Sequence, residues 1–202
     1  GGLDHVLATG RDVNILVLDT GVYSNTGGQA SKSTPRSAVA KFASGGKKAR
    51  RKDLGMLAVS YGNSYVAQIA MGANPAQTIR TFIEAESYPG PSLILAYSHC
   101  VAHGINMTTS MTHQKDAVQC GFWPVYHYDP REASAEGHPF HLDSRTPKKK
   151  FRDFAMEEAR FAMLARSNPE EADRLFQLAQ KDIDDQWHYY EQMAGVVREI
   201  SR

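Results

Sequence analysis

Three short apolar runs punctuate the first half of the chain: Val13 to Leu18, Ser64 to Ala70 and Ser92 to Tyr97. Each is rich in β-branched or aliphatic residues and bounded by turn formers, the pattern of a strand rather than of a helix. The first and third are uninterrupted enough to predict strands buried on both faces, the third with the character of a central parallel strand. Between them the spacing changes to helical. Asp53 stands as a cap before Leu54 to Tyr61, which Gly62-Asn63 ends. Asn74-Pro75 is a cap followed by proline at the first helical position, opening a helix to about Glu86. Pro89-Gly90-Pro91 breaks it. The resulting β-α-β-α-β order predicts right-handed crossovers and a parallel sheet, with ligands outside the carboxyl ends of the strands.

Further along the pattern weakens. Residues 111 to 121 suit a helix, and Trp123 to Tyr128 with Phe140 to Asp143 suit two edge strands. Beyond Pro147 the composition turns to helix formers. Phe151, Phe154, Ala155, Phe161, Ala162 and Leu164 mark one apolar face, and Ser167-Asn168-Pro169-Glu170-Glu171 restarts a helix with cap, proline and acidic first turn. The expected organisation is an α/β domain over residues 1–146, a mostly parallel sheet flanked by helices, with a helical tail over 147–202. Ser37 to Phe42 is expected to begin a short helix. The basic stretch Gly45 to Lys52 is expected to be a flexible connection.

Charge and length narrow the function classes. At 202 residues, 22% charged and a formal net charge of +1, the chain has the balance of an ordinary globular protein. It lacks the field that attracts nucleic acid or membranes in general, so neither is an expected partner. No signal-peptide order and no apolar run of membrane-spanning length is present, so a cytoplasmic address is the default expectation. Gly1 to Leu7 lacks an initiator Met and reads as the middle of something longer. Cys100 and Cys120 are too few for a disulfide framework and form no local C-x-x-C pair.

The chemistry gathers in Asp19-Thr20-Gly21-Val22-Tyr23-Ser24-Asn25-Thr26-Gly27-Gly28-Gln29, directly after the first strand. Magnesium on a diphosphate needs hard oxygen ligands, and Thr20, Asn25 and the Val22 carbonyl supply three within one turn. Gly27 and Gly28 would let backbone N–H groups approach phosphate. On composition alone a plain polar loop is the stronger reading, because Asn, Ser and Gly are the commonest turn formers. The segment LDTGVYSNTGGQASKSTP, with KDLGMLAVSYG, EAESYPGPSLILAYSHC and GFWPVYHYDPR beyond it, reverses that preference: it resembles the thiamine-diphosphate-binding part of pyruvate:ferredoxin (flavodoxin) oxidoreductase, near the C-terminus of that family's chains.

The resemblance implies a thiamine-diphosphate-binding fold and three cofactors: thiamine diphosphate, Mg2+ and a 4Fe-4S cluster. It implies that Thr20 and the Val22 carbonyl bind magnesium, that Gly21, Tyr23 and Ser24 lie against the cofactor, and that Asn25 stands at its diphosphate and reacting centre, the catalytic residue. It assigns Cys100, in Ala96-Tyr97-Ser98-His99-Cys100, to the cluster nearest the thiamine. In that family the Gly-Asp-Gly motif stands just upstream of the counterpart of Gly1 to His5, and three further cluster cysteines lie elsewhere. The implied activity is oxidative decarboxylation of pyruvate with coenzyme A to acetyl-CoA and carbon dioxide, electrons passing to ferredoxin or flavodoxin. Implied partners are the remaining domains of a parent chain and a second copy in a homodimer; the isolated chain is expected to be inactive. Two alternatives stay open, a non-redox thiamine-diphosphate decarboxylase or ligase, and a fold or dimerisation module only. Other groups have blander readings: Cys120 as a buried small hydrophobe, His99 and His103 as helix-surface or core residues on one helical turn, the run Lys47 to Lys52 as solvated, with docking of an acidic electron carrier as the alternative. Trp187, Tyr189 and Tyr190 are expected at a subunit interface.

Overall fold

The computed structural model describes residues 1–134 and 137–197. Its centre is a five-stranded sheet in the order β1-β3-β2-β4-β5. The strands are β1 (Val13–Asp19), β2 (Tyr65–Ile69), β3 (Pro91–Tyr97), β4 (Tyr126–Tyr128) and β5 (Phe140–Leu142). β1, β3 and β2 are parallel, while β4 and β5 add an antiparallel edge. The helices are α1 (Gly2–Ala8), α2 (Leu54–Val59), α3 (Pro75–Ser87), α4 (Ser110–Gln119), α5 (Phe151–Ala155), α6 (Ala159–Ser167) and α7 (Pro169–Ala194). The α/β class, the three parallel strands and their helical connections agree with the sequence pattern.

The caps are as expected because they are local. Asp53 accepts from the Met56 N–H at 3.0 Å and Asn74 from the Gln77 N–H at 3.0 Å, each satisfying a donor that the first turn leaves unpaired. β2 and β3 are buried almost throughout. β1 corrects the expectation of burial on both faces. Its residues alternate, Ile15 and Val17 packing on the core while Leu16 and Leu18 remain 49% and 63% exposed. The reason is position: among the described residues β1 pairs only with β3 and is an edge.

Four other expectations are corrected. Ser37 to Phe42 is not helical, since its amides are claimed by distant carbonyls: Ser37 by Lys47, Val39 by Arg160 and Lys41 by Gly28. Ser37 and Phe42 take left-handed φ values of 71° and 68°, which no α-helix contains. The basic stretch is tied down, the half-buried Lys47 ammonium donating to the Ser31 and Thr34 carbonyls at 2.7 Å each. Among the described residues the tail holds three helices, where one apolar face and one restart implied two. Its apolar residues, Phe151, Phe154, Phe161, Leu175 and Ile183 among them, join the same core as Leu93 and Leu95 of the sheet. Finally, Trp187 and Tyr190 are buried within the chain, Tyr190 against Tyr126 and Phe140, because α7 packs over β5. Tyr189 alone of the three is exposed, at 45%.

Candidate functional site

The carboxyl ends of β1 and β3 lie side by side, Asp19 opposite Tyr97, and the Ser98 N–H extends the ladder to the Asp19 carbonyl at 3.0 Å. The two segments that leave these ends are the loop from Thr20 and the turn at Cys100. Neighbouring parallel strands thus bring together residues that stand 80 apart in the chain.

The loop is built from its own hydrogen bonds. The Tyr23 N–H donates to the Gln29 carbonyl at 3.0 Å, and the Gly28 and Gly27 N–H groups return to Tyr23 and Ser24 at 2.9 and 3.3 Å. Gly27 and Gly28 sit at φ +100° and +86°, a region that glycine alone occupies without strain. Their amides therefore close the turn. The Ser24, Asn25 and Thr26 amides donate to no acceptor among the described residues. Tyr23, Ser24 and Asn25 are exposed, while Thr20, Gly21 and Val22 are half-buried.

Thr20 Oγ1 donates to the Val22 carbonyl at 3.0 Å. Adjacent oxygens on an octahedral magnesium ion with bonds of 2.0–2.1 Å are about 2.9 Å apart. The pair therefore has the spacing of one edge of such an octahedron. Asp19, next to them, is not free to join: its carboxylate accepts from the Gly21 N–H at 2.9 Å, from Ser33 Oγ at 2.5 and 2.7 Å, and from Arg51 Nη2 at 2.7 Å. Burial pushes that carboxyl up, but Arg51, Ser33 and the Gly21 amide outweigh it and hold it below its ordinary value. It stays an anion and braces the start of the loop.

Cys100 is half-buried and free. It opens a single 3-10 turn, Val101–His103, and its Sγ accepts from the Ala102 N–H at 3.5 Å. Of the surface or core roles expected for the two histidines, His103 takes the core one and is buried, while His99 points to Gln114 at 3.2 Å. The His103 ring connects the two halves of the site. Its Nε2 meets the Thr20 carbonyl at 2.5 Å, and its Nδ1 faces the Cys100 N–H at 3.4 Å. Burial, followed by the nearby Arg160 charge, pushes the imidazole down to about 4. It is neutral at pH 7, so Nε2–H donates to Thr20 and Nδ1 accepts from Cys100.

Beneath lies a buried charge cluster. Glu158 is fully enclosed, binds Arg160 Nε, accepts from Tyr97 Oη at 3.3 Å and meets His113 Nε2 at 2.8 Å. Burial works to raise its pKa, but Arg160 and His113 prevail and hold the carboxyl at about 2. Arg160 Nη1 has no hydrogen-bond partner among the described residues and would stand 3.1 Å from a Cβ at Gly21. Ser33, Arg51, His103, Glu158 and Arg160 carry no local spacing signal; only the fold reveals that they support the loop. The sole hint at His103 is its position three residues past Cys100.

No profile of a known protein family matches the chain. Individual proteins do. It is 56% identical over its full length to a pyruvate-flavodoxin oxidoreductase of Trichormus variabilis, spanning 17% of that protein. It is 54% identical to the pyruvate:ferredoxin oxidoreductase of Moorella thermoacetica over 96% of the chain, and 53% identical to the pyruvate-flavodoxin oxidoreductase of Klebsiella pneumoniae over 96%, again 17% of each relative. Spanning about a sixth of the length of these relatives, the chain belongs to the pyruvate-flavodoxin/ferredoxin oxidoreductase family.

Proposed function

We propose that the chain is the magnesium-diphosphate half of a thiamine-diphosphate site, in a protein that oxidatively decarboxylates pyruvate with coenzyme A to acetyl-CoA and carbon dioxide and passes the electrons to ferredoxin or flavodoxin. The single observation that carries this reading is the junction at His103, which ties the Thr20 carbonyl to the Cys100 amide. Hard oxygens for a magnesium ion and a thiolate for a cluster would thereby share one rigid edge. A non-redox decarboxylase has no use for the second half.

The groups present suit the cofactors. Thr20 Oγ1 and the Val22 carbonyl would take magnesium, Gly21, Tyr23 and Ser24 would lie along the diphosphate, and Asn25, on the exposed crest of the loop, would orient the substrate carboxylate. The unpartnered Arg160 nitrogen behind Gly21 adds positive potential where a diphosphate would sit. Cys100, with its amide held by His103, would ligate a 4Fe-4S cluster. When bound, thiamine diphosphate supplies the electron sink for the loss of carbon dioxide, and the cluster takes up the electrons. The protein's part is to fix both at one sheet edge, Asp19 and Glu158 bracing the two segments from below.

The test is pyruvate-dependent viologen reduction by the full-length protein. Asn25→Ala is expected to lower kcat by about 10²-fold, in line with the loss of one oriented polar contact in a transition state, with little change in cofactor content. Cys100→Ser is expected to abolish electron transfer while leaving thiamine diphosphate bound. Full viologen reduction by Cys100→Ser would refute the redox reading. The chain by itself is expected to show no such activity, since it brings two magnesium-spaced oxygens and one cluster thiolate.

A further inference from the structure

At the opposite edge of the sheet from Thr20, β4 and β5 carry a second group of donors. His127 and His141 are register partners across the antiparallel pair, and their rings stack with centroids 4.7 Å apart at 12°. The 3-10 turn Pro130–Glu132, on the connection between these strands, folds back over them and places Glu132 Oε2 2.5 Å from His141 Nε2. One donor atom from each of the three side chains lies within 4.8 Å of the others. Four strand steps of about 4.8 Å separate this edge from β1, roughly 19 Å, so the group is not part of the loop site.

The support of His127 is what distinguishes this group from a chance surface cluster. Its Nδ1 stands 2.8 Å from Asp143 Oδ2, and Asp143 is itself fixed by Arg80 Nη2 at 3.1 Å and Gln77 Nε2 at 3.3 Å. The carboxylate claims the Nδ1 proton, which leaves the lone pair of the neutral ring on Nε2. That is the arrangement by which a carboxylate orients a metal-binding histidine. The His127 side chain is only 12% exposed, whereas His141 and Glu132 are 42% and 49% exposed and free to close the last distance. Ligands on a tetrahedral ion with bonds of 2.0–2.1 Å are about 3.4 Å apart.

We propose that His127, Glu132 and His141 bind a divalent transition-metal ion, Zn2+ by class, which staples β5 and the Pro130–Glu132 turn to β4. Two imidazoles and one carboxylate suit Zn2+ and disfavour Mg2+ and Ca2+, which prefer all-oxygen sets. The role follows from the topology: β5 is three residues long and, among the described residues, held in the sheet only through β4, so an ion that bridges strand, turn and strand fixes the edge that α7 packs against.

The full-length protein, stripped with a chelator and then dialysed against micromolar Zn2+, is analysed for zinc by elemental mass spectrometry beside H141A and E132Q. The wild type is expected to retain one equivalent more than either variant. Its β4 and β5 amides should exchange at least tenfold more slowly with zinc than without, an effect absent from both variants and not reproduced by Mg2+. Glu132 is half exposed, so E132Q keeps the fold and remains informative if H141A does not. Zinc content or exchange protection equal to the wild type in a folded variant overturns the proposal, as does a wild type that binds no extra zinc.

Discussion

His103 is buried, neutral and bonded at both ring nitrogens, to the Thr20 carbonyl and the Cys100 amide. Replacing it with phenylalanine keeps the ring and removes both bonds, leaving a carbonyl and an N–H without partners at a cost of about 1–3 kcal/mol each where buried. A residue that only packs would lower stability and nothing else. His103→Phe in the full-length protein is instead expected to weaken magnesium-thiamine-diphosphate binding and to alter the electron paramagnetic resonance spectrum of the reduced cluster. A lower melting temperature with both readouts unchanged would show that the junction is merely structural. Glu158 gives a second prediction at this scale. Glu158→Gln leaves the Arg160 guanidinium buried without its counter-charge, which costs about 3–5 kcal/mol. The folded pKa of Glu158, about 2, lies below its unfolded value of 4.5, so its stabilisation is complete above pH 4.5 and lost as pH falls toward 2. His113 has the opposite sign: its pKa is raised despite burial, by Glu158 and Glu157, so its contribution is full below its unfolded value of 6.5 and lost as pH rises through the folded one. Hydrogen-exchange protection of α6 should therefore lose its acid-side slope between pH 4.5 and 2 in Glu158→Gln, and an unchanged slope would contradict the account.

Elements whose determinants are local were legible in the sequence, and those fixed by distant partners were not. Asp53 and Asn74 cap helices through amides three residues away, a distance that a sequence pattern encodes. Ser37 to Phe42 has helix-compatible composition, but Lys47, Arg160 and Gly28 claim or supply its backbone bonds, and no window of residues contains that information. β1 shows the same limit: Val13 to Leu18 reads as a buried strand because its composition is uniform, and only strand order makes it an edge. At the site, the loop and Cys100 were found by resemblance, whereas Asp19, Arg51, His103, Glu158 and Arg160 act through contacts that span up to 121 positions. The Cys100 turn also depends on a backbone detail that the sequence shows only as one more glycine. Gly104 sits at φ +68°, and a Cβ there would stand 2.4 Å from that of Ala159, whose N–H donates to the Gly104 carbonyl at 3.3 Å. Gly104→Ala combines a left-handed conformation with a clash against α6, and is expected to destabilise by about 1–3 kcal/mol. The Gly104→Ala/Ala159→Gly pair should recover the clash but not the strain. Full recovery in thermal denaturation of the pair would place the whole effect in packing.

At the scale of the whole molecule the sheet has one face more fully covered than the other. The core cluster beneath α5 to α7 takes Ile15, Val17, Leu93 and Leu95 on one side. On the other, α3 covers β2 and β3, enclosing Ala67, Ile69 and Ile94, and meets β1 near its start, where Asn14 Nδ2 donates to Glu86 at 2.9 Å. Leu16 and Leu18 are the register partners of Ile94 and Ala96 and so share that face, where they stay 49% and 63% exposed; Ile79 and Ile83 of α3 are 63% and 65% exposed. Aliphatic side chains gain about 1.5–3 kcal/mol each on full burial, so several left half open on one side of a domain mark a surface with a partner. The chain spans 17% of the length of its relatives, and further parts of the same protein are the occupant this arrangement favours. No helix among the described residues is long and apolar enough to cross a membrane. Hydroxyl-radical footprinting should find Leu16, Leu18 and Ile83 protected in the full-length protein and open in the isolated chain, with Leu57 of α2, 50% exposed, as an internal reference. Leu18→Glu should then lower the melting temperature of the full-length protein by more than it lowers that of the isolated chain, because only the former loses an interdomain contact. Equal labelling of Leu18 in the two proteins would mean that this edge faces solvent in both, and that β1 is an open margin instead of a seam.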